Sequence, residues 1–304
     1  MLHILWDTRG YFFWLLVISV GCLIAERIRP WRRGQKLFRK EFFHDLFWLF
    51  FNGHYFSVLF AYVAAFFVQA LFPVLDAAKS WNLLAGWPLV AQAAVYFLLK
   101  DFFDWCVHNL LHRIPALWEF HKLHHSIIEM DWIGNFRFHW MEIVVYQGLT
   151  YLPLVILGVD PFVILMVAIF ATLIGHLNHS NLDITWGPLR YLFNSSRMHI
   201  WHHMHDLPHG HEKGINFGIS LSLWDWIFRT AYWPTHHECP AQQPGSLGFP
   251  GMEKLPRSLP VRFVAPLWNS IRTLFPCHSL RSQTTKSTSS SREPEPAGPQ
   301  NLPS

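Results

Sequence analysis

Long apolar runs broken by short polar connections set the pattern of the first two thirds of the chain. The first, YFFWLLVISVGCLIA (Tyr11–Ala25), is followed by ERIRPWRRGQKLFRK (Glu26–Lys40), which holds seven Lys and Arg. A signal peptide carries its positive charge ahead of the apolar stretch and ends at small residues. Here the charge comes after, so the positive-inside rule predicts a retained span followed by a cytosolic loop. The run Phe42–Leu75 is long enough to cross and continue, taking the chain out to a polar turn around Asp76–Asn82. Leu83–Phe103 then brings it back. A further run, Ile143–Ile174, is interrupted by GVDP (Gly158–Pro161), where Asp160 can cap a helix that has Pro161 at its first position. That is a helical hairpin, with a first arm of about 16 residues that barely spans a ~30 Å hydrocarbon core. Crossing or only dipping in, it returns both its ends to the cytosolic side.

The expected fold is therefore an all-α integral membrane protein with about four to five membrane-embedded helices. It divides into N-terminal spans (1–82), a histidine-rich region (83–235), and a loop with a stretch lying along the membrane interface (236–278). The tail 279–304 has few core-forming residues and is expected to be disordered.

Composition agrees with a membrane chain. Hydrophobic residues make up 51% and charged residues only 14%, against about a quarter charged in soluble domains. Trp and Phe are abundant (16 and 27), and Trp, like Tyr, favours the membrane–water boundary. The four cysteines are far apart with no CxxC pair, which argues against a disulfide framework or a thiolate zinc site. The net charge of +4 comes mostly from Glu26–Lys40, so no nucleic-acid surface is expected.

Histidine changes the picture. The chain has 20 of them, and their spacing is regular. HNLLH places His108 and His112 four apart on one helical face. HKLHH supplies His121, His124 and His125, and HIWHH supplies His199, His202 and His203. HLNH adds His176 and His179 at the end of the hairpin. The predicted topology puts all four segments on the cytosolic side, as a histidine-rich di-metal cap. Eight to ten imidazoles exceed the three or four that one metal ion uses, so the count implies two metals. Imidazole suits zinc, copper, iron and nickel alike. HExxH, the zinc-protease signature, is absent.

DFFDWCVHNLLHRIPALWEFHKLHHS, FRFHWME, NHSN and SSRMHIWHH…NFGISLSLWDWIFRT together resemble the fatty acid hydroxylase/sterol desaturase superfamily, closest to its bacterial sterol-desaturase-like members. The resemblance covers residues 90–235. It implies a non-haem di-iron oxygenase that uses O2 to hydroxylate or desaturate a lipid. The two irons would be held by His108, His112, His121, His124, His125, His176, His179, His199, His202 and His203. Two electrons per turnover would come from a separate donor: a ferredoxin, a cytochrome, a reductase or a pterin. Localisation would be a bacterial inner membrane in preference to the ER, with the site facing the cytosol. Many members carry Arg directly after the first box histidine; this chain has Asn109, which removes a local cation. Around the ligands, Asp104 shares a helical face with His108 and is a candidate to accept from its second ring nitrogen. Asp101 and His139 are further candidates for such support. The competing reading from the residues is a membrane metal-handling protein that collects ions on cytosolic histidines.

Overall fold

The computed structural model describes residues 6–56, 58–60, 62, 76–77, 81–235, 239 and 243–275. The described residues are helical and contain no β-strand, only isolated bridges at Phe193–Leu221 and Met204–Leu247. The helices are α1 (Tyr11–Ile28), α2 (Phe42–Phe50), α3 (Leu89–Arg113), α4 (Pro115–His125), α5 (Trp140–Tyr146), α6 (Pro161–His179), α7 (Ser196–His202), α8 (Leu223–Ile227) and α9 (Leu259–Leu274).

Helix α1 shows why these elements belong in lipid. Its outward stripe is Val17, Val20, Ile24 and Ile28, all about half exposed or more. Its inward face carries Leu15, Ser19, Cys22 and Glu26. A helix greasy on its exposed side has no advantage in water, whereas lipid accepts it. The hairpin forms where Asp160 and Pro161 predict it. Gly158 ends the first arm in the left-handed region (φ 59°). A Cβ there would sit 2.4 Å from Asn82 Oδ1. Asp160 then caps α6, accepting from Phe162 N at 2.8 Å. The first arm is α5 prolonged through a π-helical turn (Gln147–Tyr151) to Leu157.

Among the described residues, three stretches are long and apolar enough to cross a membrane: Tyr11–Ile28, Trp140–Leu157 and Pro161–His179. The expected count of four to five is not reached among the described residues, for two reasons. Of Phe42–Leu75, residues 57, 61 and 63–75 lie outside them. Helix α3, where the third span was expected, carries Lys100, Asp101 and Asp104 in its middle. The expected disordered tail, 279–304, also lies outside the described residues.

Two apolar clusters fix the frame. Leu15, Cys22, Leu49, Trp132, Ile133 and Phe136 join α1 and α2 to the loop after α4. Leu84, Tyr96, Leu154, Leu157, Val163 and Val167 join α3 to both arms of the hairpin. Helix α9 packs along α4, where its Phe263 ring stacks on Trp48 at 5.4 Å.

A paired histidine centre

One residue folds the first two boxes together. Ile114 is extended (φ −96°, ψ 112°) and serves as both the last cap of α3 and the first of α4. Pro115 behind it disfavours the helical conformation at that position. The chain therefore breaks between HNLLH and HKLHH, and the two helices fold against each other. His108 and His121 Nε2 approach to 3.2 Å, and His112 and His125 Nε2 to 3.1 Å, the same 13-residue offset in each pair.

Nine of the ten candidate histidines gather into two groups. One holds His108, His112, His121, His125 and His202; the other holds His124, His179, His199 and His203. Within each group the ligand nitrogens lie within 4.8 Å of one another. Each HxxHH box divides between the groups in a reciprocal way. The first sends His121 and His125 to one group and His124 to the other, while the second sends His199 and His203 to the latter and His202 back. The two groups are thus locked into one centre by α4 and α7.

Tautomers decide what the centre can do. Nδ1 of His108 donates to Phe217 O (2.7 Å), that of His121 to Glu142 Oε2 (2.7 Å) and that of His124 to Arg137 O (3.1 Å). His179 Nδ1 donates to Gly175 O (2.9 Å), and His202 Nδ1 to Ile215 O (2.7 Å). With the proton on Nδ1, each Nε2 presents a bare lone pair. His108 and His121 therefore face each other lone pair to lone pair, and so do His124 and His179, at 3.2 Å. Neutral rings so arranged repel and have no proton to share; a cation between them removes the conflict. Burial, reinforced by neighbouring imidazoles, pushes His121, His124, His125, His199 and His203 well below the ordinary value of 6.5, so they are neutral. His202 Nε2 is buried without a hydrogen-bond partner among the described residues.

The spacing also fits a metal. A metal–imidazole bond of about 2.1 Å puts neighbouring nitrogens about 3.0 Å apart in an octahedron and about 3.4 Å in a tetrahedron. The observed approaches of 3.1 to 3.2 Å fall between these values. All-nitrogen donors with neutral ligands suit a borderline transition metal such as iron.

The second ring of contacts differs from the sequence expectation. Asp104 does not reach His108, whose Nδ1 is taken by Phe217 O. Asp104 is ion-paired with Lys100, one turn back on α3. Asp101 touches no histidine. It accepts from Ser220 N (2.9 Å), Leu221 N (3.2 Å) and Trp224 Nε1 (2.9 Å). That ties α3 to the loop whose carbonyls hold His108 and His202. His139 caps α5, accepting from Met141 N (3.2 Å) and donating to Phe263 O (3.0 Å). His176 lies outside both groups, contacting Ser19 Oγ, Asn135 Nδ2 and Thr172 O at 3.1 Å each. Asn109 bonds back to Trp105 O.

Three carboxylates do supporting work that spacing did not single out. Glu142 accepts from His121 and, through Oε1, from His139 N at 3.1 Å. Asp225 accepts from Phe217 N (2.9 Å), Gly218 N (2.7 Å), Trp105 Nε1 (3.0 Å) and Thr230 Oγ1 (2.6 Å). Gly218 must be glycine, because a Cβ would meet Leu221 O at 2.3 Å. Asp45 of α2 is fully buried between Arg39 and Arg137. Arg39 also forks onto Asp131 at 2.6 and 2.8 Å. The Arg137 backbone that receives His124 is therefore clamped from the N-terminal part of the chain. Glu142 and Arg137 sit in FRFHWME and Asp225 in NFGISLSLWDWIFRT, so both stretches carried the signal without naming the residue.

Beside the histidines lies a cavity of about 430 Å³. All three membrane-length stretches wall it, through Tyr11, Ile143 and Ala171 among others, and His108, His121, His124, His179 and His199 form its floor. Ala168, Ala171 and Gly175 lie on one face of α6 and leave the space open.

Membrane-length helices around a paired, all-histidine centre able to hold metal, with no strand among the described residues, are the class that fold and site define. Comparison with known proteins shows what the chain is similar to. Residues 93–230 match the family model described as fatty acid hydroxylase. The ornithine lipid hydroxylase of Rhizobium tropici is 28% identical over 236 residues, covering 77% of this chain and 69% of the relative. A fatty acid hydroxylase of a Lecanicillium species is 27% identical over 153 residues (47% and 42%). Methylsterol monooxygenase 1-1 of Arabidopsis thaliana is 22% identical over 144 residues (47% of each). The chain spans about half the length of these last two relatives. No solved structure matches it significantly.

Proposed function

We propose that the chain is a membrane di-iron oxygenase that uses O2 and two electrons from a separate donor to hydroxylate or desaturate a lipid. The observation that carries this reading is the set of opposed Nε2 lone pairs, in two groups, on the floor of a largely apolar cavity. One iron would be held by His108, His112, His121, His125 and His202, and the other by His124, His179, His199 and His203. Bound iron supplies O2 activation of a strength that attacks unactivated C–H bonds. Hydroxylation balances as R–H, O2, two electrons and two protons giving R–OH and water.

The chain's own part is positional. Phe217, Ile215, Arg137 and Gly175 carbonyls and the Glu142 carboxylate hold five rings in the tautomer that leaves Nε2 free. The neutral imidazoles would leave a bound metal's charge uncompensated. Phe136, Phe138 and Ile143 exclude water from the cavity and align an acyl or sterol carbon with the floor. The relatives' names are those of lipid oxygenases, which supports the same substrate class here. The chain carries no dinucleotide fingerprint, so the donor is a ferredoxin, a cytochrome, a reductase or a pterin. By the positive-inside rule the centre faces the cytosol, beneath a bacterial inner membrane.

The test compares lipid extracts of a host expressing the chain with those of a His124→Ala, His125→Ala variant by mass spectrometry. A wild-type-only species about 16 mass units heavier marks hydroxylation, and one about two units lighter marks desaturation. No difference, with iron bound and a reductant supplied, overturns the lipid-oxygenase reading and brings forward the metal-handling one.

A further inference from the structure

The cavity is greasy on most sides, yet it contains one buried ion pair, Lys100 with Asp104 on α3. Lys100 is 6% exposed and Asp104 3%. The Lys100 ammonium sits 5.3 Å from the Tyr151 ring, and Tyr146 and Gln147 line the same wall. The pair is a poor device for stability, because the cost of taking two charges out of water offsets most of their attraction. It is also incomplete. Asp104 Oδ2 accepts from the Lys100 ammonium, but Oδ1 is buried and has no hydrogen-bond partner among the described residues. A buried carboxylate oxygen left unpaired costs free energy unless something fills the place. Asp104 is among the residues that line the cavity.

We propose that Asp104, held by Lys100, is the polar anchor for the substrate. It takes a lipid whose polar end offers a hydrogen-bond donor (a hydroxyl, an amide N–H or an ammonium) to Asp104 Oδ1. The role rests on the lipid-oxygenase reading, which it narrows by naming the substrate's polar end. Asp104 precedes His108 by one helical turn, about 6 Å along α3. A lipid anchored there presents carbons only a few bonds from its polar end to the histidine floor, rather than the middle of its tail. The Ala168–Ala171–Gly175 face of α6 leaves room for the remaining chain.

The test is equilibrium binding of two matched probes to the purified, metal-loaded full chain in detergent: radiolabelled octadecanol, which has an O–H donor, and octadecyl methyl ether, which has none. The wild type should prefer octadecanol by about tenfold. In Asp104→Asn the amide oxygen stays with Lys100 and the NH2 faces the cavity, so donor meets donor. The preference should vanish while metal content is unchanged. Should Asp104→Asn fail to fold, the Lys100→Gln/Asp104→Asn double variant, which keeps a neutral hydrogen-bonded pair, decides in the same way. Equal binding of both probes by the wild type, or a preference that survives in the variants, overturns the proposal. Turnover is read separately. A chain that binds with this preference but oxidises no lipid contradicts the oxygenase reading alone, and one that oxidises lipid without the preference contradicts the anchor alone.

Discussion

Glu142→Gln tests the logic of the centre without touching a ligand. The carboxylate serves two donors at once, His121 Nδ1 at 2.7 Å and His139 N at 3.1 Å. Glutamine has the same length but only one acceptor oxygen. If that oxygen stays with His121, the amide NH2 faces the His139 N–H and the capping box of α5 is lost, costing about 1 kcal/mol. If it turns to His139, the NH2 faces His121 and forces its proton to Nε2, which takes the ring out of the metal set. Either way a charge-assisted bond worth about 1.5–3 kcal/mol is replaced by a weaker one. Loss of such an outer partner typically costs about 10–100-fold in metal affinity, and that is the expected weakening. The assay is competition with a chelator, run on wild type, Glu142→Gln, His121→Ala and the double variant. Because the two residues act as one unit, Glu142→Gln should add little in the His121→Ala background. An affinity within about twofold of wild type, or the same loss in both backgrounds, refutes the reasoning.

Three further outcomes follow from the same geometry. Asp45→Ala leaves the buried Arg39 and Arg137 without a shared carboxylate; it should cost about 3–5 kcal/mol, read as a lowered thermal midpoint. Ala171→Phe fills the cavity between α6 and α5 and should abolish lipid conversion while metal content, measured by elemental analysis, stays at the wild-type level. In the metal-free chain, His199, His202 and His203 have folded-state values below 6.5 because burial disfavours their charged forms. The unfolded chain therefore binds more protons as pH falls through 6.5, and stability should fall with it until the folded values are reached. Thermal midpoints from about pH 7.5 to about pH 5 check this; a flat profile contradicts it.

Local periodicity made the ligand positions legible, and tertiary crossing hid their division. Offsets of three and four place His121, His124 and His125 on one helical face whatever surrounds them. Which ring joins which group depends on how α7 meets α4, which no local rule contains. The hairpin was legible for the same reason, since Asp160 and Pro161 carry their own start signal. The Asp104 expectation failed because an i,i+4 relation puts two residues on one face without choosing between partners. Lys100 stands at the same spacing on the other side, and the Phe217 carbonyl arrives from 109 residues away to take His108. Glu142, Asp225 and Asp45 were out of reach because each joins a local partner to a distant one: His121, Trp105 and Arg137 respectively. His176 has helix spacing from His179 like the rings within a box, but its face of α6 turns to Ser19 of α1.

The central claim is that two metal ions sit in one all-imidazole centre. The direct measurement is metal stoichiometry with iron-edge X-ray absorption on the full chain purified under reducing conditions. The account predicts two irons per chain, a first shell of nitrogen at about 2.1 Å with imidazole outer-shell scattering, and a single remaining iron in His199→Ala. One metal per wild-type chain, or a first shell containing sulfur, contradicts it.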